Sequence, residues 1–318
     1  MPQPLNLQTV IAFIWDFDKT LTPDYMQRPL FVRYGVDEKQ FWGEVNGLVE
    51  HYRGRGLQVS RDTAYLGHVL SYVQAGRFEG LTNEILRELG REVRLSPGMP
   101  EFISRTKDRV ANSARFIDNG ITVEHYVVST GLRQMIEGNE IRTHLDGVWA
   151  CELLCDPPGP GYQGKEGGDA ADTGILTQVG YVLDNTTKTR AIFEINKGVN
   201  KYPTIEVNSR MSADDRRVPI QNMIYIADGP SDVPVFSVVN QGGGMTLGVF
   251  TAGERSNFEG VRQLQDEGRI QSMAPADYTD GSQADMWLMS SLQRIADGIC
   301  GRRERNISLI TNPAGHVV

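Results

Sequence analysis

Short apolar runs alternate along this chain with longer stretches in which apolar residues recur every three or four positions. Uninterrupted apolar runs are typical of strands buried inside a parallel sheet. Such strands are predicted at 11–15, 123–128, 223–227 and 245–250, and two further strands at 147–154 and 178–183. Helical spacing fills much of the sequence between them. This order predicts an α/β protein, a Rossmann-like parallel sheet with right-handed crossovers.

The region from 23 to 95 departs from this order, because it contains helical patterns and no convincing strand. Four helices are predicted there, at 24–34, at 37–51, between Ser60 and Gly76, and at 82–89. Gly43 and Gly47 weaken the second of these predictions. We therefore predict a small helical cap domain at 23–95, inserted after the first strand of a core formed by 1–22 and 96–318.

Outside the predicted cap, some segments have a clear helical pattern of apolar residues and others do not. Helices are predicted at 100–119, 187–196 and 284–299, and a helix begins at Leu132. The segment 156–174 is rich in glycine, proline and aspartate, which predicts a mobile loop. The tail after Gly301 is polar and only weakly patterned, so no element is predicted for it.

Composition and charge limit the classes of function. The 318 residues carry a net charge of −8, so neither a basic footprint for nucleic acid nor a polybasic membrane patch is expected. No apolar run reaches the ~20 residues of a membrane span, and the first residues do not resemble a signal peptide. Three cysteines provide no disulfide framework and no spacing typical of zinc sites. We expect a cytoplasmic protein.

Polar residues stand where three of the predicted strands end. They are Asp16 and Asp18 after the first strand, Ser129 after the second, and Asp228 with Asp232 after the third, joined by Lys188 at a helix start. Each has a simpler explanation when taken singly, as a turn, a helix cap or a surface lysine. Ligands of open parallel sheets, however, bind beyond the carboxyl ends of the strands. Asp16 and Asp18 fall on the same side of the chain, and two carboxylates so close require a cation.

The order of these residues resembles the haloacid dehalogenase (HAD) superfamily, and within it the phosphoserine-phosphatase-like phosphatases. The four motifs are matched by Asp16, Asp18 and Thr20; by Ser129 and Gly131; by Lys188; and by Asp228, Gly229 and Asp232. Ala227 stands where the family usually has glycine, and Lys197 remains an alternative for the motif lysine. The resemblance covers about residues 11–250 and includes the helical cap.

The resemblance implies Mg²⁺-dependent hydrolysis of a small phosphorylated metabolite through an aspartyl phosphate. Asp16 would be the nucleophile, and Asp18 would donate and then accept the proton. The phosphoryl oxygens would be bound by Ser129, Thr130, Gly131 and Lys188. The Mg²⁺ ligands would come from Asp16, Asp228, Asp232 and the main-chain carbonyl of Asp18, with Asp232 either holding a metal-bound water or ordering Lys188.

Other readings of the same residues stay open. A phosphomutase of the superfamily, or a non-catalytic phosphate-binding module, would keep these positions. Asp18 argues against a dehalogenase, because a halide leaving group needs no acid. A shifted register, in which Asp18-Lys19-Thr20-Leu21-Thr22 resembles the P-type ion pumps, would make Asp18 the nucleophile. That register puts Thr20 in the acid's position and requires membrane spans that the sequence does not predict.

The predicted cap contains charged residues that are candidates for recognising the rest of the substrate. They are Arg28, Arg33, Glu44, Arg53 and Arg55. A solvated surface charge is the simpler interpretation of each.

Overall fold

The computed structural model describes residues 7–161 and 174–311, so most of the predicted loop at 156–174 and the end of the tail lie outside the described residues. Its strands are β1 (Val10–Trp15), β2 (Thr122–Leu132), β3 (Gly147–Cys155), β4 (Leu176–Tyr181), β5 (Met223–Ala227), β6 (Met245–Phe250) and β7 (Ser272–Pro275). They form one sheet in the order β4-β3-β2-β1-β5-β6-β7. The predicted α/β fold is confirmed, although β4 pairs antiparallel to β3 at one edge.

Helices cover the sheet and also form an insert between two of its strands. They are α1 (Arg28–Tyr34), α2 (Glu38–Arg53), α3 (Arg61–Gln74), α4 (Asn83–Gly90), α5 (Glu101–Ala111), α6 (Ala114–Asp118), α7 (Arg133–Gly138), α8 (Lys188–Lys197), α9 (Val233–Gln241), α10 (Arg255–Asp266) and α11 (Gln283–Thr311). Helices α1–α6 lie between β1 and β2 and form a helical insert there. In the part of the chain that the structure describes, no helix is long and apolar enough to cross a membrane.

Several predicted boundaries were wrong. The helix predicted at 100–119 is broken into α5 and α6, and β2 continues past Val128 to Leu132 with irregular pairing to β3. Helix α2 runs through Gly43 and Gly47 without interruption. The short edge strand β7 and the helices α9 and α10 were not predicted. Their apolar patterns are too short or too mixed to stand out from the surrounding sequence.

The tail after Gly301 is helical, contrary to the sequence pattern, because α11 continues to Thr311. Polar contacts hold the beginning of this part of α11, up to residue 305, and the turns just before it. Arg115 binds Asp297 at 2.8 Å and Glu304 at 3.0 Å, and Arg302 donates to Asn222 Oδ1 at 3.1 Å. The contacts of residues 302–305 are polar, which agrees with the weak hydrophobic pattern there.

The central strand β1 is surrounded by aromatic side chains. His125 of β2 stacks on Phe13, with ring centroids 4.8 Å apart. The Trp15 indole donates to His125 Nδ1 at 3.1 Å, while Nε2 lies 2.8 Å from the Thr106 hydroxyl. That hydroxyl donates its proton to the Ile103 carbonyl. His125 is therefore neutral with its proton on Nε2, and burial holds its pKa well below the ordinary value.

We predict that His125 makes stability depend on pH. Its pKa is lower in the folded state than in the unfolded chain, so its contribution to stability is present above pH ~6.5 and is lost as the pH falls below that value. Between pH 7.5 and 5.5 the stability advantage of the wild type over His125→Gln should shrink by about 1.4 kcal/mol. Urea unfolding at the two pH values measures it. An advantage that does not change with pH would contradict the neutral tautomer.

Helices α4 and α7 approach each other backbone to backbone through two glycines. A Cβ atom on Gly138 would lie 1.9 Å from the Arg87 carbonyl oxygen, and one on Gly90 would lie 2.0 Å from that of Met135. Any side chain at either position would push the helices apart. This contact joins the insert to the helix that follows β2.

We expect Gly138→Ala to lower the free energy of unfolding by about 1–3 kcal/mol, because the added methyl group meets backbone that has to move. Gly47→Ala in α2 is the matched control. A Cβ there has no atom within 4 Å, so alanine should raise stability by up to about 1 kcal/mol. Urea unfolding of both variants tests the difference, and similar effects would show that the glycine contact is not tight.

Candidate active site

Strand register brings the predicted polar residues to one edge of the sheet. Trp15 of β1 pairs with Val127 of β2 on one side and with Ile226 of β5 on the other. The Asp16 main-chain N–H continues this pairing by donating to the Ile226 carbonyl at 2.9 Å. The residues that follow these three strands therefore meet at the same edge. The chain brings carboxylates there from β1 and β5 and a hydroxyl from β2.

An acidic cluster lies at this edge. One carboxylate oxygen from each of Asp16, Asp228 and Asp232 lies within 4.8 Å of the other two. Lys188, the first residue of α8, places its Nζ 2.7 Å from Asp16 Oδ1 and 2.7 Å from Asp232 Oδ1. Lys188 is 1% exposed, Asp16 6% and Asp232 0%. Lys188 thus binds two buried carboxylates, and the partly buried carboxylate of Asp228 completes the cluster.

The structure brings Lys188 to the cluster and leaves Lys197 outside it. Lys197 lies at the other end of α8, where its Nζ donates to the carbonyls of Val207 and Ser209. The two lysines are nine positions apart, which corresponds to two and a half helical turns, so they face different sides of α8. Sequence spacing alone left both open.

Asp232 has two further partners that the sequence analysis missed. The Tyr225 hydroxyl donates to Asp232 Oδ1 at 2.5 Å, and the Ser231 hydroxyl donates to Oδ2 at 2.7 Å. Tyr225 belongs to the apolar run that predicted β5, and nothing in that pattern sets it apart. Ser231, in contrast, lies inside the fourth motif. Together with Lys188 these donors hold the Asp232 carboxylate in one orientation.

Asp18 is not part of this cluster and lines a cleft next to it. The chain turns sharply after it, with Lys19 in the left-handed region at φ 56°, a conformation that non-glycine residues adopt mainly where surrounding structure enforces it. The turn lets the Met26 main-chain N–H donate to Asp18 Oδ1 at 2.8 Å. Met26 thus orients the Asp18 carboxyl, a role that no sequence signal indicated.

Burial and crowding change the pKa values of these carboxyls. Burial, with a further contribution from the charge of Asp232, raises the pKa of Asp16 to about 6, although Lys188 opposes the shift. Burial first, and the charge of Asp16 second, raise the pKa of Asp18 to about 8. The same two causes raise the pKa of Asp228 well above its usual range. For Lys188, burial alone would lower the pKa, but Asp16 and Asp232 outweigh it and raise the pKa.

The site also carries more negative than positive charge. The acidic cluster and Asp18 supply four carboxyl groups, and Lys188 supplies one positive charge in direct contact with two of them, Asp16 and Asp232. Carboxylate oxygens are the donors that a hard divalent cation such as Mg²⁺ prefers. The residues therefore fit a divalent metal ion, which would balance the excess negative charge.

The segment after the hydroxyl position of β2 is held from both sides. The Gly131 N–H donates to Ser129 Oγ at 3.0 Å, and the Tyr65 hydroxyl of α3 donates to the Thr130 carbonyl. A Cβ atom on Gly131 would lie 2.2 Å from Met26 Cε, so glycine permits the close approach of Met26. This segment therefore contacts the insert directly.

A cleft of about 180 Å³ separates the insert from the strand ends. Its lining residues are Asp18, Tyr25, Gln27, Trp42, Val45, Asn46, Tyr65 and Thr130. The charged residues that the sequence suggested for substrate recognition do not line this cleft. Arg28 pairs with Asp24, Arg33 with Glu88, Arg53 with Glu50, and Arg55 is exposed.

Glu44 also forms its hydrogen bonds with residues that do not line the cleft. It accepts from Gln40 at 2.8 Å and from the Tyr72 hydroxyl at 2.7 Å, and it lies 2.8 Å from His68 Nε2. These bonds, Tyr72 and Gln40 first, hold the pKa of Glu44 low, at about 2. They join α2 to α3. The residues that do line the cleft are mostly aromatic or amide side chains, for which the sequence offered only closeness to the first motif.

Known proteins resemble this chain in sequence or in fold. The chain is 36% identical over 290 residues to an uncharacterized protein of Borreliella burgdorferi, covering 90% of this chain and 97% of that protein. No protein-family model matches it. Among solved structures, a HAD family hydrolase from Salmonella enterica serovar Typhi is similar with a TM-score of 0.51 at 12% identity, covering 87% of this chain and 69% of that one.

A probable phosphoserine phosphatase from Vibrio cholerae is also similar, with a TM-score of 0.50 at 14% identity over 93% of this chain and 68% of that one. At such identities the likeness concerns the fold. The sheet order and the helical insert after β1 agree with it. The chain therefore belongs to one family with the Borreliella burgdorferi protein, and its fold is similar to that of HAD family hydrolases.

Proposed function

We propose that the protein is a Mg²⁺-dependent phosphatase that hydrolyses a small phosphate monoester through an aspartyl phosphate on Asp16. The observation that supports this most is the position of Lys188, whose Nζ lies 2.7 Å from both Asp16 and Asp232 in a buried site. A carboxylate nucleophile, a cation for the phosphoryl group and a second oriented carboxyl at the cleft are what such a reaction needs.

In the first half of the reaction, an oxygen of Asp16 attacks phosphorus and the bond to the ester oxygen breaks. Asp18, held by the Met26 N–H, gives its proton to the departing alkoxide. Lys188 and Ser129 bind the phosphoryl oxygens while the charge on them redistributes. The Thr130 main-chain N–H completes this binding site, and the Gly131 N–H holds the Ser129 hydroxyl in place.

In the second half, water attacks the phosphorus of the aspartyl phosphate. Asp18, now ionised, takes a proton from that water, and the bond between phosphorus and Asp16 breaks. Inorganic phosphate leaves and Asp16 is regenerated as a carboxylate. Asp232 keeps Lys188 in place throughout, because it is itself fixed by Tyr225 and Ser231.

Asp16, Asp228 and Asp232 would hold the Mg²⁺ ion, and the Asp18 main-chain carbonyl would add an oxygen. When bound, the ion supplies positive charge that lets an anionic nucleophile approach an anionic ester. Support comes from the donor set, which consists of carboxylate oxygens in a site with too little positive charge.

We also propose that residues 23–95 act as a cap over a core formed by 1–22 and 96–318. Helix α3 already contacts the end of β2 through the bond from Tyr65 to Thr130, and α1 begins two residues after Met26. A cap in contact with the site excludes water during the reaction. The small volume of the cleft favours a small metabolite as the substrate.

A phosphate-release screen over phosphorylated metabolites tests the proposal. With Mg²⁺ present we expect repeated turnover of at least one monoester, loss of that activity on adding EDTA, and its return with excess Mg²⁺. A requirement for a catalytic amount of a sugar bisphosphate would point to a phosphomutase instead. No phosphate release from any substrate would contradict the proposal.

A further inference from the structure

Two polar atoms at the cleft have no hydrogen-bond partner among the described residues. They are the indole Nε1 of Trp42 in α2 and the side-chain oxygen Oε1 of Gln27, the residue before α1. Gln27 is 4% exposed, and both residues line the cleft that begins at Asp18. Buried polar groups are nearly always paired, so each such atom calls for a partner. A molecule bound in the cleft would bring one partner to each.

The cleft offers almost no charge to that molecule. Asp18 is the one charged side chain among the described residues that line it. Lys19, the nearest cation along the chain, lies over the Tyr25 ring at 5.0 Å and pairs with Glu254 at 3.6 Å. Glu44 points instead to Gln40, Tyr72 and His68. The cleft therefore lacks the paired charges that an amino-acid head group requires.

We infer that the substrate is the phosphate monoester of a neutral, hydroxylated alcohol, and that Trp42 and Gln27 determine this specificity. The inference rests on the proposed phosphatase function. A hydroxyl group accepts a hydrogen bond from the Trp42 indole and donates one to the Gln27 carbonyl oxygen, which pairs both atoms. The rings of Tyr25 and Tyr65 lie about 6.0 Å from that of Trp42 and form apolar walls around the carbon chain.

Two other kinds of leaving group fit these observations less well. A zwitterionic group, as in phosphoserine, would enter without a partner for its ammonium and carboxylate charges, and buried unpaired charge is costly. A quaternary ammonium group, as in phosphocholine, would find aromatic rings but would leave both Trp42 Nε1 and Gln27 Oε1 unpaired.

The test compares four esters with the Mg²⁺-loaded protein: glycerol 1-phosphate, phosphoserine, phosphocholine and phenyl phosphate. We expect the highest kcat/KM with glycerol 1-phosphate. Trp42→Phe and Gln27→Met should each lower that value about tenfold, mainly through KM, the loss expected for one hydrogen bond. Both substitutions should leave kcat/KM for phenyl phosphate unchanged within about twofold, because the phenyl ring offers no hydrogen-bonding group.

Trp149→Phe is the matched control, since it removes an indole N–H that donates to Glu194 at 2.7 Å and does not line the cleft. This substitution should not change the ratio of the kcat/KM values for glycerol 1-phosphate and phenyl phosphate. Preference for phosphoserine or phosphocholine, or equal losses with phenyl phosphate in the Trp42 and Gln27 variants, would overturn the inference while leaving the phosphatase intact. Inactivity towards all four esters and towards the metabolite screen would refute the phosphatase, and the inference with it.

Discussion

Asp16→Asn is expected to reduce phosphate release by about three orders of magnitude or more, because the amide cannot form the aspartyl phosphate. The substitution keeps the shape of the side chain and removes the oxygen anion that faces Lys188. Steady-state phosphate release with the best substrate of the screen measures the loss. Circular dichroism of the variant should match that of the wild type, since Lys188 keeps its bond to Asp232.

Asp266→Asn is the control for this substitution. Asp266 is exposed at the end of α10, where it pairs with Arg262 at 3.7 Å, and its amide variant should keep full activity. Wild-type-like turnover by Asp16→Asn would overturn the whole mechanism. Peptide mapping of a trapped phosphoryl-enzyme shows which aspartate is the nucleophile. Label on Asp16 agrees with the proposal, whereas label on Asp18 would favour the motif register of the P-type ion pumps.

The second large effect is expected for Lys188→Met, as a loss of stability. Methionine has a similar length, but it leaves the buried carboxylates of Asp16 and Asp232 without their shared cation. Removing one partner of a buried ion pair typically costs about 3–5 kcal/mol. Urea unfolding at pH 8 with EDTA should show a loss of that size. The loss should shrink as the pH is lowered through the raised pKa of Asp16, because protonation neutralises that carboxylate.

Lys197→Met provides the comparison within the same helix. Its ammonium binds carbonyl oxygens at the half-buried end of α8, so the expected loss is about 1 kcal/mol. Phosphate release should also separate the two, with activity lost in Lys188→Met and kept in Lys197→Met. Equal destabilisation, or activity that depends on Lys197 instead, would contradict the assignment of Lys188 to the site.

The sequence predicted the sheet and the location of the candidate site well, because both depend on local rules. Strands β5 and β6 were predicted with their observed bounds, since buried parallel strands are short uninterrupted apolar runs. No element was predicted for the tail of α11 or for the edge strand β7, because neither leaves a clear periodic signal. Strand β4 was predicted, but its antiparallel direction was not.

Contacts between distant parts of the chain could not be predicted in the same way. The approach of α4 to α7 depends on Gly90 and Gly138, two glycines that resemble any others in the sequence. Helix α2 shows the opposite case, because Gly43 and Gly47 weakened its prediction although nothing in the structure depends on their lacking a side chain. Whether a glycine matters is decided by what packs against it.

By itself, the sequence determined which residue types stand at the carboxyl ends of β1, β2 and β5, and therefore that carboxylates and a hydroxyl gather at one edge of the sheet. Only the tertiary structure decided which lysine reaches Asp16, what holds Asp232, and which side chains face the cleft. The physical reason is distance along the chain: Lys188 and Asp16 are 172 positions apart, and their contact depends on how α8 is rotated and packed against β2 and α9. Periodicity describes one element at a time, whereas this site is made where several elements meet.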